Sequence, residues 1–191
     1  MPTISFHPLT PERWTDFERL FGTTGGVGGC WCMHWRTTNK QFVAQQGAGN
    51  RQAMRALVEA SAPVGILACV DEQPAGWCSL SPRDAFPRLK TSKVFQGLDG
   101  QPVWAIVCFF IARAFRRQRL SARLLQAALD YARARGAQIV EACPVEPQQE
   151  RMPEVFAFTG IASVFYAAGF VEVARRSPTR PLLRYYFEQM A

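Results

Sequence analysis

From Val103 to Ile111 the chain reads Val-Trp-Ala-Ile-Val-Cys-Phe-Phe-Ile, apolar on both faces of an extended segment. A strand without a polar face must be covered on both sides, so this run calls for a central place in a sheet with a helix packed on it. It leads into the basic bend Arg113-Ala114-Phe115-Arg116-Arg117-Gln118-Arg119, and the bend leads into a helical pattern from Ser121 to Arg135. A helix opening in such a bend aims unpaired backbone N–H groups, the positive end of its dipole and several guanidinium forks at one small volume. That combination suits a phosphorylated ligand. Taken singly, Arg113, Arg116, Arg117, Arg119 and Arg123 read equally well as solvated surface residues, and it is their crowding at one strand-to-helix joint that favours a ligand.

The rest of the chain supplies the partners this strand needs. Ile4-Ser5-Phe6 reads as a short strand, and Thr10 with Pro11 opens a helix carrying Trp14, Phe17, Leu20 and Phe21 at helical spacing. Five glycines between Gly22 and Gly29 end it in a flexible loop that lacks the Gly-Lys-Ser/Thr ending of a phosphate loop. Trp31 to Trp35 is a short strand or a packed aromatic plug; a helix follows around Asn39 to Gln46, and Asn50 caps another through Ala60. Gly65 to Val70 and Gly76 to Leu80 form a hairpin about the turn Asp71-Glu72-Gln73-Pro74, and Arg83 to Gly100 is a long polar loop. Beyond the central unit come a strand at Gln138 to Cys143, a loop over 146–160, a short helix from Ile161 to Ala168 ended by Gly169, and strands at Val171 to Val173 and Leu182 to Phe187. With no repeat and no low-complexity linker, this order implies one α/β (α+β) domain of 191 residues built on a mixed sheet.

A hydrophobic content of 48% and a charged content of 19% fit an ordinary globular chain. No apolar stretch approaches the roughly 20 residues that span a bilayer, and Met1 to Ser5 lacks the regions of a signal peptide, so a cytoplasmic protein with no membrane partner is expected. The six cysteines lie mostly in apolar segments, where a reduced thiol behaves as a small hydrophobe. Cys30-Trp31-Cys32-Met33-His34 has Cys-x-Cys spacing and no second ligand pair, so no metal is expected. The net charge of +7, carried by nineteen arginines and three lysines, fits an anionic partner, whether nucleic acid or a phosphorylated cofactor. For nucleic acid there is no long basic stripe with interleaved aromatics and no helix-turn-helix, so charge alone supports that reading.

In Phe109-Phe110-Ile111, in Arg116-Arg117-Gln118-Arg119-Leu120-Ser121 and in Phe165-Tyr166-Ala167-Ala168-Gly169-Phe170, the sequence resembles the GCN5-related N-acetyltransferase (GNAT) superfamily, and element order extends the likeness over Gly65 to Phe187. The resemblance implies a mostly antiparallel central sheet flanked by helices, with residues 1–64 on the acceptor side and 65–187 as the acetyl-CoA-binding core. It also implies that the turn, of pattern Gln/Arg-x-x-Gly-x-Gly/Ala, holds the pyrophosphate of acetyl-CoA through Arg116, Arg117, Gln118, Arg119, Leu120, Ser121 and Ala122. Backbone groups of Phe109 and Ile111 would pair with pantetheine, with Phe110 and Phe165 beside it. Arg119 replaces the family's first glycine, which lets a backbone approach a phosphate, and Ser121 replaces its glycine or alanine. The tyrosine that family members often place four residues before Gly-Phe, to protonate the departing thiolate, is here Phe165; Tyr166 lies about 100° further round a helix.

Direct attack of an amine on a thioester needs a strand edge that orients pantetheine, a proton acceptor and a stabilised oxyanion. Three candidates arise for the proton work. Glu141 is a base or a structural carboxylate paired with an arginine; His34 is a base or a core or cleft-lining residue; Tyr166 is an acid or a packing aromatic. Cys108 and Cys143 have no basic partner at a telling spacing and read as inert thiols. On the acceptor side, Trp31, Trp35 and Arg36 with His34 make either an aromatic-walled pocket with one cationic fork, suited to a carboxylate or a flat ring, or part of a hydrophobic face. The expected function is acetyl-CoA-dependent transfer to a primary amine of a small molecule or peptide; the alternative is a catalytically degenerate acyl-CoA-binding regulatory module. By the same resemblance the late strands offer a homodimer edge, unless Leu182 to Phe187 is an inner strand.

Overall fold

Three residues of the central strand decide how the sheet opens. In a computed structural model, which describes residues 2–148 and 157–188, strand β4 (Trp104–Ile111) pairs antiparallel with β3 (Gln73–Pro82) along its whole length, but pairs parallel with β5 (Ile139–Ala142) only through Trp104, Ala105 and Ile106. Ser79 lies opposite Cys108 and Leu80 opposite Ile106, which leaves Val107 as the extra residue of a bulge. A bulge bends its strand and increases the local twist. It also resets the alternation: Ile106 and Phe109 pack toward one face of the sheet, Val107 and Cys108 toward the other. Past the bulge β4 therefore diverges from β5.

Around this pair run β1 (Ile4–Pro8), β2 (Gly65–Val70), β6 (Val171–Arg175) and β7 (Pro181–Tyr186), giving a seven-stranded sheet of order β1-β2-β3-β4-β5-β7-β6 with the β4–β5 contact its one parallel pairing. Of the two readings of the late strands, β7 is the inner one, held between β5 and β6. Asp71 and Glu72, with φ of 46° and 62°, close the β2–β3 hairpin in two residues rather than four, because a turn left-handed at both central positions matches the twist of the strands.

One face of the sheet is covered by α5 (Leu120–Arg133), whose Leu124, Leu125, Ala128, Leu129 and Ala132 are buried against Ile66, Leu80, Ile106 and Val140. Each such leucine contributes about 1.5–3 kcal/mol relative to its exposed state. The short α6 (Ala162–Ala167) joins the same face through Ala162 and Phe165. The opposite face is covered by α1 (Trp14–Phe21) and α3 (Ala48–Glu59), whose Phe17, Phe21, Met54 and Val58 surround Trp77 and Leu67. Helices α2 (Asn39–Ala44) and α4 (Pro87–Thr91) complete the chain, the latter inside the loop expected over 83–100.

Two expected caps differ. Thr10 makes no side-chain cap, since a 3₁₀ turn at Pro11–Arg13 precedes α1. Asn50 lies inside α3, where its amide donates to the Gly29 carbonyl across 3.1 Å. The capping box belongs instead to Thr38 and Gln41 at the start of α2.

Candidate active site

The divergence of β4 from β5 leaves a cleft of about 630 Å³. Phe109, Phe110 and Ile111 form one wall, Arg116, Arg117, Arg119, Leu120 and Ser121 its mouth, and Pro147, Ala157, Phe158, Gly160, Ile161, Val164 and Phe165 the other wall; Val27, from the glycine loop, overhangs it. Of the expected cofactor residues, Gln118 and Ala122 do not line it: the Gln118 amide donates back to the Ala114 carbonyl at 3.0 Å. Of the loop expected over 146–160, residues 149–156 lie outside the described residues.

The mouth is built by the backbone. After β4 the chain makes a 3₁₀ turn at Arg113–Phe115, and Arg116 is extended, its Nε donating to the Ile111 carbonyl at 2.8 Å. Arg117 and Arg119 then both take left-handed conformations, φ 60° and 58°, and Arg119 is the residue from which α5 starts. No side chain caps that helix. Its first-turn amides therefore keep the positive dipole end open toward the cleft, among three arginines. Arg119 accepts a backbone conformation that glycine would take without steric penalty.

Along the wall, residues 109 and 111 turn their backbone groups to the side that β5 leaves, since Phe110 and Ala112 face β3. The Phe109 amide is engaged there, donating to the Phe158 carbonyl at 2.6 Å. Opposite, Phe165 is buried, edge-on to Phe109 at 5.7 Å and to Phe170 at 5.1 Å. Gly160 has φ +90°, and a Cβ there would meet the Phe165 ring at 2.5 Å, so only glycine lets the loop pass this close. Neither Phe158 nor Gly160 carries a signal in the sequence; both sit in an irregular loop whose role depends on what it folds against.

None of the three catalytic candidates lines the cleft. Glu141, 1% exposed, receives Arg83 on one carboxylate oxygen and the Arg184 Nε on the other at 3.0 Å, while Arg184 also grips Asp99 at 2.8 and 3.0 Å. It holds β5 to β7 and to the chain after β3. Tyr166 faces solvent, its hydroxyl donating to Glu172 at 2.9 Å with a Glu146 oxygen 3.3 Å away, beside Arg175. His34 lies behind one wall, its ring edge-on to Phe158 at 6.0 Å. Burial first, and then the charge of Arg88, push its imidazole down to about 4, so it is neutral at neutral pH.

The acceptor-side candidates are likewise drawn inward. Trp31 stacks on Phe21 at 5.9 Å in the core beneath α1, whereas Trp35 belongs to a separate cluster with Phe86, Leu89 and Val107. Positive φ at Trp31 and Cys32 puts the two indoles in different cores rather than on a common face. Arg36 donates to the Val64 carbonyl at 2.9 Å and to Ser81 Oγ at 2.8 Å, with its guanidinium over Phe86. Its Nη2 is thus held by the protein, while its Nε is buried without a partner. The thiols are free, and Cys32 accepts from Trp77 Nε1 at 3.0 Å. Among the described residues no group of three His, Cys, Asp or Glu side chains is placed to hold a metal.

An uncapped helix start among guanidiniums, continuous with an open strand edge and apolar walls, can receive a ligand that is polyanionic at one end and slender and weakly polar at the other. The acetyltransferase (GNAT) family model matches residues 31–158, more than half of the chain. No curated protein matches it in sequence. Among solved structures, a GNAT-family acetyltransferase from Listeria monocytogenes superposes with a TM-score of 0.59 at 11% identity, over 96% of this chain and 95% of that one. PaiA N-acetyltransferase from Thermoplasma acidophilum, solved with coenzyme A, gives 0.54 at 9% identity over 97% and 99%. Arabidopsis thaliana NAA60, solved with acetyl-CoA, gives 0.54 at 14% identity over 97% and 100%. At these identities the likeness is one of fold.

Proposed function

The chain belongs to the acetyltransferase (GNAT) family, and from that premise we propose that it is an acetyl-CoA-dependent N-acetyltransferase acting on a primary amine of a small molecule or peptide. The observation that carries this reading is the uncapped start of α5, set among Arg116, Arg117 and Arg119 at the mouth of the cleft between β4 and β5.

The residues present fit such a donor. The amides of the first turn of α5 and the Arg117 and Arg119 guanidiniums would take the diphosphate. The edge of β4 would offer the Ile111 amide to the pantetheine arm, as an added strand would find it, its carbonyl being held by Arg116. Phe109, Phe158 and Phe165 exclude water from the inner end. When bound, acetyl-CoA supplies an acyl group activated as a thioester.

Among the described lining residues there is neither a carboxylate nor an imidazole. The imidazole adjoining the cleft, His34, is neutral and one ring removed behind Phe158; Arg88 Nη1 occupies its acceptor nitrogen, so the amine proton would pass to water. A second reading, an acyl-CoA-binding module without turnover, draws support from Phe165 at the family's tyrosine position and from the outward-facing Tyr166.

Calorimetry with acetyl-CoA and CoA tests the first reading. Saturable binding is expected, weakened tenfold or more when Arg116 and Arg117 are both changed to Ala, together with CoA release when a suitable amine is added. No heat at millimolar ligand removes acyl transfer; binding without turnover across a broad amine panel establishes the second reading.

A further inference from the structure

Several arginines of this protein meet a carboxylate: Arg83 and Arg184 at Glu141, Arg51 at Glu18, Arg175 at Glu146 and Glu172. Arg88, on α4, meets none among the described residues. Its Nε donates to the Thr37 carbonyl at 3.3 Å, its guanidinium lies over Phe42 at 5.4 Å, and its Nη1 lies 3.1 and 3.2 Å from the two ring nitrogens of His34. The remaining nitrogen, Nη2, is buried with no hydrogen-bond partner. A guanidinium donor left unpaired is costly, and an acceptor arriving from outside would satisfy it.

The neighbour sharpens the chemistry. A neutral imidazole can accept from Nη1 through one nitrogen, and its other nitrogen then carries a hydrogen. Arg88 and His34 thus present donors side by side with no acid opposite them. Their walls are Trp35, Phe42 and Phe158, which meet the His34 ring edge-on at 5.0, 5.3 and 6.0 Å. Phe158 also lines the cleft and binds the Phe109 amide at the point where β4 leaves β5. The pair therefore adjoins the inner, acceptor end of the cleft, separated from it by one aromatic ring.

We propose that Arg88 and His34 form an anion subsite for the acceptor, and that the acceptor is an amine bearing a carboxylate across a flat, apolar spacer about one ring wide. This rests on the acetyl-transfer reading and adds the substrate class. The cationic fork that the sequence places at Arg36 is supplied by Arg88 instead, because Arg36 turns its Nη2 inward to Val64, Ser79 and Ser81, whereas Arg88 stands beside His34 next to the cleft wall.

Two measurements on the intact protein test it. The first compares 4-(aminomethyl)benzoate with 4-(aminomethyl)benzamide as acceptors: the acid is expected to have at least tenfold higher kcat/KM, a preference lost in Arg88→Gln and partly restored in Arg88→Lys, which keeps the charge without the fork. The second needs no donor. The protein has two histidines, so the His34 ring signals can be followed by NMR against pH and assigned with His34→Gln; the acid should move the His34 titration upward and the amide should not. Equal use of acid and amide, an Arg88→Gln variant that keeps the preference, or a His34 titration indifferent to the acid each overturns the subsite. A protein that binds no CoA yet shows the His34 response loses the acetyl-transfer reading and keeps the subsite.

Discussion

The amide of Phe109 donates to the carbonyl of Phe158 across 2.6 Å, on the stretch of β4 whose far side β5 leaves uncovered. The bond satisfies a backbone donor that would otherwise be orphaned at the inner end of the cleft. A ligand arm lying along β4 must exchange it for one of its own carbonyls or use Ile111, two residues on and facing the same side. Adding CoA should therefore shift the amide resonances of Phe109 and Ile111 and leave that of Phe110, which faces β3, nearly unmoved. A change confined to Phe110 would place the ligand elsewhere.

Arg119 starts α5 with φ 58° and ψ 14°. A side chain in that conformation costs about 1–2 kcal/mol, partly offset in a glycine replacement by the greater entropy of the unfolded chain. Arg119→Gly should gain up to about 1 kcal/mol, seen as a Tm rise of about 2–4 °C in a domain of this size. Affinity for CoA should fall in the same variant, because a guanidinium leaves the mouth. If melting is unchanged, the surrounding turn has already relieved the strain.

Glu141 is 1% exposed and its two oxygens receive different arginines. Removing one partner of such a buried network costs about 3–5 kcal/mol. For Glu141→Gln, urea denaturation should show a loss of that order, and the turnover of the folded fraction should stay within about threefold of the parent. Normal stability with turnover down a hundredfold would instead make Glu141 the base.

His34 carries a sign that can be checked. Its imidazole is pushed from 6.5 down to about 4 in the fold, by burial and then by Arg88, so between those values the unfolded chain holds more protons than the folded one. Stability should therefore be at its full value above about pH 6.5, fall as the pH drops toward about 4, and level off below. In His34→Gln that part of the acid decline should disappear from thermal melts taken across the window. A decline of the same size in the variant would assign it to the carboxylates.

Much of the frame was legible in advance because it is written in short-range pattern. The run ending at Ile111 is central in the sheet as its composition demands, buried at Ala105 to Val107 and half-buried where it lines the cleft, the bend after it carries the arginines to a cleft mouth, and the apolar stripe of α5 lies on the sheet. Periodicity and turn chemistry act within a few residues, so a single chain displays them. The extra residue at Val107 left no such mark, since Val-Cys reads the same in a regular strand as in a bulge, yet it is what parts β4 from β5.

Side-chain partners followed another logic. The carboxylate at 141 looked equally like a base or a structural anchor, and Arg36 looked like a free cationic fork; what separated the outcomes was which groups, 28 to 58 residues away along the chain, came within hydrogen-bond reach. The same holds for Phe158, anonymous in a loop until it meets both Phe109 and His34. By itself, then, the order of residues carried the family resemblance in its motifs and settled the central strand, the arginine bend and the helix behind it, because these elements are imposed locally by burial and backbone geometry. Which arginines are neutralised by the protein and which remain open to a ligand was decided by tertiary packing alone, since charge compensation depends on distance in space and not on distance along the chain.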